Sequence, residues 1–168
     1  MECCLPSSLR GWRGWPVPER FSPVPGENVV FRLVDENSTF LPAGAQLPLP
    51  AWFNPSTTDI DEGKARGRQP GFSVWNQAVA SVEQVKVLVT RPDSLAFGLE
   101  AAAVREVGKT HQRALEVLAD PADSLKPGAG WDAHTVIEGL QRPEGLARPA
   151  QKDLQSALAA QCRRLDVA

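Results

Sequence analysis

FSVWNQAVASVEQVKVLVT, residues 72–90, contains a strand pattern followed at once by a helix pattern, and the fold class rests on reading that change. The opening FSVW is apolar and rich enough in β-branched and aromatic side chains for a short strand. Ser81 is followed three residues later by Gln84, a capping box in which each group satisfies a backbone N–H that the helix start leaves open. Val82, Val85, Leu88 and Val89 then share one helical face, although Val85, Val87 and Val89 also fit a strand. With the capping box at its head, the stretch is read as a helix.

Toward the C-terminus the two patterns keep alternating. SLAFGL (94–99) is apolar and short, as a buried strand is, and EAAAVREV (100–107) has helical spacing with Gly108 placed as its stop. ALEVLADP (114–121) reads as strand ending at Pro121, and AHTVIEGL (133–140) as strand ended by Pro143 and Gly145. A last amphipathic helix has Pro149 in its first turn and Asp153 near its start. Leu154, Ala157, Leu158 and Leu165 lie on one face, and Arg163 with Arg164 close it.

Toward the N-terminus, NVVFRLV (28–34) is a strand followed by the turn-forming DENS, with a hairpin expected to return through Thr39, Phe40 and Leu41. Residues 42–70 carry five Pro and three Gly and read as one long irregular loop, pinned to the core by Trp52 and Phe53. Residues 1–26 hold Pro6, Pro16, Pro18, Pro23 and Pro25 with three Gly, and form an irregular arm bearing Trp12 and Trp15. The expected architecture is α+β: a single mixed β-sheet covered by two to three helices over residues 27–168, preceded by the arm at 1–26.

Composition narrows the function classes. At 168 residues with 42% hydrophobic and 23% charged side chains, the chain is sized and balanced for one soluble globular domain. A net charge of −2 gives no general attraction to a polyanion. No apolar run approaches a membrane span, and the first residues lack the apolar stretch of a secretory signal, so a cytosolic location is expected. The three cysteines, Cys3, Cys4 and Cys162, have neither disulfide-framework nor zinc spacing, which suits a reducing compartment. Phosphate-cradling loops, dinucleotide fingerprints, zincin motifs and nucleophile elbows are missing, and no cofactor is expected. Only His111 and His134 are present, so a multi-histidine metal centre is excluded and no metal site is expected.

Three groups of residues remain as candidates. His134 and Glu138 stand four apart, on one face in either strand or helix, with Asp132 on that face if the segment is strand. A histidine flanked by carboxylates can act as a general base or share a divalent cation, which would make the chain a hydrolase or nuclease, with Asp120 as further support. The plain alternative is the wetter face of a half-exposed sheet. Lys64, Arg66 and Arg68 in DIDEGKARGR (59–68) could meet a nucleic-acid backbone, but the adjacent Asp59, Asp61 and Glu62 make a self-compensating charge cluster the more ordinary reading. Trp12, Trp15 and Trp52 lie in irregular segments, where a large rigid side chain favours docking on a protein. A long aromatic-bearing irregular surface without a catalytic motif points to a non-enzymatic protein-interaction module. The Ala, Arg, Pro and Val bias suggests an accessory protein of a bacterial multi-component system.

Overall fold

The computed structural model describes residues 18–121 and 129–166. Six strands, β1 (Val29–Val34), β2 (Gly71–Asn76), β3 (Leu95–Glu100), β4 (Glu116–Ala119), β5 (His134–Glu138) and β6 (Arg163–Arg164), form one sheet in the order β4-β5-β2-β1-β3-β6. Four helices accompany it: α1 (Thr57–Arg66), α2 (Val82–Leu88), α3 (Ala101–Thr110) and α4 (Arg148–Gln161). The α+β class and the single sheet stand as expected from the sequence. The ladders are antiparallel throughout rather than mixed, because β1 lies between β2 and β3. The crossover β2–α2–β3 therefore delivers two strands of one direction that never hydrogen-bond to each other.

The segment that decides the class folds as its pattern dictates. Ser81 Oγ accepts from Gln84 N at 3.2 Å, and Gln84 Oε1 accepts from Ser81 N at 2.9 Å, so both halves of the capping box form. Val82 and Val85 are buried under α2 against Phe31, Leu33, Trp75 and Ala96, whereas Val87 is exposed, as a helix requires and a strand would not.

The opposite face carries the larger core. Val30, Val34, Phe72, Val74, Phe97 and Leu99 pack there beneath α3 and α4, with Leu154 and Leu158 supplied by α4. Trp52 and Phe53 enter this layer from a short 3-10 helix, Pro50–Phe53, and pack against Phe72, Trp52 edge-on at 6.1 Å and Phe53 tilted at 5.5 Å between ring centroids. The long segment is pinned as expected. Each fully buried Phe contributes roughly 1.5–3 kcal/mol through water removed from its surface.

Four expectations need correction. The loop expected over residues 42–70 contains α1, started by a second capping box, Ser56 with Asp59, and stopped by Gly67 in the left-handed conformation at φ 63°. Residues 39–41 form no hairpin with β1, because both edges of β1 are already taken by β2 and β3. Gly108 lies inside α3, which continues to Thr110. Arg163 and Arg164 do not end α4. They form β6 on the outer edge of β3, and Leu165 N donates to Ala96 O at 2.9 Å, carrying Leu165 into the α2 cluster.

The described end of the arm, residues 18–26, is docked. Phe21 N donates to Ala119 O at 2.6 Å, Ala119 N to Ser22 O at 2.9 Å and Val24 N to Val117 O at 2.9 Å, while Val24 is buried in the main core. These bonds occupy the outer edge of β4, which would otherwise expose a row of unpaired amides. The proline-rich composition limits the pairing to a single bridge, Pro23 with Leu118. Trp12 and Trp15 lie outside the described residues.

Candidate functional site

Two of the candidate groups, far apart in the chain, meet on one surface. Cross-strand register places His134 opposite Trp75, Val136 opposite Ser73 and Glu138 opposite Gly71, so these residues share the sheet face that carries α1 and α2. The chain leaves β4 at Ala119 and puts Asp120 beside the start of β5, where Asp120 N donates to His134 O at 3.0 Å. Helix α1 crosses the same face, with Ser73 Oγ 3.5 Å from the Asp59 carboxylate, and its last turn brings in Arg66 with Arg68 just beyond.

Asp120 is the hub. Its side chain is 5% exposed, and it accepts from Arg20 Nε at 2.8 Å and from Arg66 Nη1 at 3.2 Å. His134 Nδ1 lies 3.5 Å from its Oδ2 and 2.8 Å from its backbone carbonyl oxygen, so the ring donates from Nδ1 to that carbonyl. Burial alone would raise the Asp120 pKa. The hydrogen bonds and charges of His134 and Arg20 outweigh it and hold the carboxyl well below the usual carboxylate range. Glu138 accepts a two-pronged pair from Arg68, Nε at 2.8 Å and Nη2 at 3.0 Å, the geometry that suits a guanidinium fork. The Arg68 guanidinium also sits 4.0 Å from the Phe21 ring centroid, tying the docked arm to the cluster.

This geometry changes what each candidate can do. His134 and Glu138 share a face as expected, but four residues of strand separate them by about 13 Å, too far to share a proton or a ligand. Asp132 sits in the 3-10 turn Ala129–Ala133 before β5, off the strand. The carboxylate beside His134 is Asp120, and its charge is matched by two arginines. The cavity these groups enclose is about 20 Å³, room for about one water molecule. His134 also packs edge-on to Trp75 at 5.5 Å between ring centroids. Among the described residues, no three His, Cys, Asp or Glu side chains are arranged to hold a metal ion.

Of the basic trio, Arg66 and Arg68 are bound to carboxylates and Lys64 stands exposed on α1. Trp52 is buried in the core, 5% exposed, and is one of the residues lining a cleft shared with Phe40 and Arg32. The sequence offered Asp120 only as further support for His134; that it is the hub, and that Arg20 and Arg66 pair with it, was not legible there. The usable signal was a lone Asp where a predicted strand stops at Pro121.

A different surface offers room. A groove of about 590 Å³ runs between the Leu49–Asn54 segment and the first turns of α4, lined by Leu49, Pro50 and Ala51 on one side and Arg142, Arg148 and Lys152 on the other. Gln151 fixes its floor by donating to Leu140 O at 2.8 Å and accepting from Arg113 Nη1 at 2.7 Å. No carboxylate lines it, and Ala147 at the N-cap of α4 contributes no side-chain cap. Of the four large exposed apolar side chains among the described residues, Phe40, Leu47 and Leu49 all belong to the stretch leading into this groove.

Comparison with known proteins adds no relative: no family model matches the chain, and neither the curated proteins nor the solved structures give a match. Among the described residues no helix is long and apolar enough to cross a membrane.

Proposed function

We propose that the chain is a non-enzymatic cytosolic interaction module, an accessory component of a bacterial multi-component system, that holds an acidic and apolar segment of a protein partner in the groove beside α4. The observation that carries this reading is the pairing of one apolar wall, Leu49 to Ala51, with three exposed cations, Arg142, Arg148 and Lys152, and no lining carboxylate. Charge complementarity selects an acidic segment, and the apolar wall supplies the area that gives residence time. The first turn of α4 adds its unsatisfied amides and the positive end of its dipole to the same side.

The cluster around Asp120 supports hydrolysis poorly, since its cavity admits about one water and its carboxylates are held by arginines. Nucleic-acid contact through Lys64, Arg66 and Arg68 is weakened in the same way, two of the three charges being already compensated.

The test compares proteins captured from the native host by the wild-type chain, by the triple variant Arg142→Glu, Arg148→Glu, Lys152→Glu, and by Leu49→Asp. A specific partner is expected on the wild type, released by salt and lost from both variants. The reading is refuted if the same species are retained by all three, or if the wild type retains none.

A further inference from the structure

We propose that the cleft beside Arg32, where the β1–β2 ladder ends, is a binding site for a small organic monocarboxylate, with the Arg32 guanidinium receiving the carboxylate and Trp52 and Phe40 flanking the apolar body. The ladder between β1 and β2 covers only Val30 with Asn76 and Phe31 with Trp75, so the two strands part at Arg32. Beside Arg32 lies a cleft of about 470 Å³, lined from the end of β1, residues 38–40 and residues 51–56, within the range that holds a small-molecule ligand. Arg32, Arg91, Asp35, Trp52, Phe40 and Ser56 are among the residues lining it, Asp35 being paired with Arg91.

Arg32 lies on the sheet face of Val30 and Val34, both buried, an unusual place for a permanent charge. Its guanidinium carbon rests 4.3 Å from the Phe72 ring centroid. Among the described residues no carboxylate lies within 4.0 Å of it, while eight other Arg or Lys side chains have such a partner. The carboxylates nearby are already engaged. Asp59 caps α1 through Ser56, and Asp35 accepts from Ser94 Oγ and from Arg91 Nη2. Burial lowers the Arg32 pKa from its usual value, Asp59 offsets this in part, and Arg91 adds to it. None of its nitrogens is sealed from solvent without a partner, and Arg32 is one of the residues lining the cleft.

One cation without a carboxylate within 4.0 Å matches one negative charge, and a planar fork matches a carboxylate. The Phe72 ring 4.3 Å away supports the guanidinium, which reduces the ordering needed on binding. Edges of Trp52 and Phe40 then offer apolar surface to the remainder of the ligand. A purely structural Arg32 would instead be justified by its stacking on Phe72 alone, and the two roles differ in their effect on stability.

The experiment is calorimetric titration of the full chain with phenylacetate and indole-3-acetate, against phenylacetamide, indole-3-acetamide and inorganic phosphate. The acids are expected to bind and the amides to bind roughly tenfold to a hundredfold more weakly, the weight of a charge-assisted pair. Arg32→Met is expected to abolish binding of the acids and to raise the melting temperature of the unliganded protein, because a half-buried charge without an ion-pair partner is removed. Arg32→Lys, which keeps the charge without the fork, is expected to fold and bind about tenfold more weakly. The proposal is overturned if neither acid binds at millimolar concentration or if acids and amides bind alike. It is equally overturned if phosphate binds as well as indole-3-acetate, or if Arg32→Met lowers the melting temperature while Arg32→Lys binds unchanged.

Discussion

Asp120→Asn isolates the contribution of the charged hub without changing its shape. The carboxylate is 5% exposed and accepts from Arg20 at 2.8 Å and Arg66 at 3.2 Å, with His134 Nδ1 at 3.5 Å. Removing one member of a buried ion pair costs about 3–5 kcal/mol where the abandoned partner stays buried. Here the Arg20 and Arg66 side chains are 34% and 38% exposed and can rehydrate, and the amide oxygen keeps one acceptor. Their screening brings the expected loss down to about 2–3 kcal/mol at pH 7. At about 2–4 °C per kcal/mol for a chain of this size, the melting temperature falls by about 4–12 °C.

The effect also has a pH signature. The folded-state pKa of Asp120 lies below its unfolded value, so in the acid range the unfolded chain binds the proton that the native state does not. The stabilisation is therefore complete above the ordinary carboxylate pKa of about 4 and is lost as the pH falls from there toward the folded value. Urea unfolding followed by tryptophan fluorescence at pH 7 and pH 3 measures both quantities, with Trp75 and Trp131 close to His134 as reporters. The wild type should exceed the variant at pH 7, and the gap should narrow at pH 3. A gap at pH 7 below about 0.5 kcal/mol, the level of an ordinary surface change, would refute the hub, as would a gap of equal size at both pH values.

Gly139 follows β5 at φ 91°, and a Cβ there would lie 2.2 Å from Ala114 O, so Gly139→Ala is expected to cost about 3 kcal/mol or more in urea unfolding; a loss under about 1 kcal/mol would show that the turn relaxes. Cys162 is buried at the end of α4 with its thiol pushed up to about 12, so in a Cys3→Ser, Cys4→Ser background Ellman's reagent should label it only as fast as the chain opens. Labelling at the rate of a free thiol would contradict that burial. Ser56→Ala removes the capping box of α1 and should cost about 1 kcal/mol. Because α1 carries Arg66 to Asp120, its loss in the Asp120→Asn background should be smaller than in the wild type, and strict additivity in the double-mutant cycle would argue against that coupling.

The elements that were legible from the sequence are those whose apolar period and end signals agree. β1, β2, β3, β5 and α4 fall close to where composition puts them, since each buries a stripe or face that its own side chains declare. Helix α1 was hidden although the capping rule that locates α2 also locates it, in Ser56 with Asp59. Between Pro55 and Gly67, Ile60 is its one large apolar residue, so it has no hydrophobic period to read. It stands on its caps and on the charges of its final turn. β6 was hidden for the opposite reason, its two arginines matching the expected end of a helix while the open edge of β3 offered a ladder.

The same distinction governs the candidate site. His134 could be picked out because it stands among polar neighbours within one short span, but a period-2 face fixes only which side of a sheet a residue occupies. What a residue meets there depends on register and on elements folded over it. Asp120 meets Arg20 from 100 residues earlier and Arg66 from 54 earlier, and Glu138 meets Arg68 from 70 earlier. Each of these pairs closes a long loop, whose entropic cost the surrounding packing has to cover before the ion pair contributes anything. The charge cluster is thus a consequence of the sheet's assembly and not its cause. Losing Asp120 should accordingly lower stability while leaving the strand order and the groove beside α4 intact.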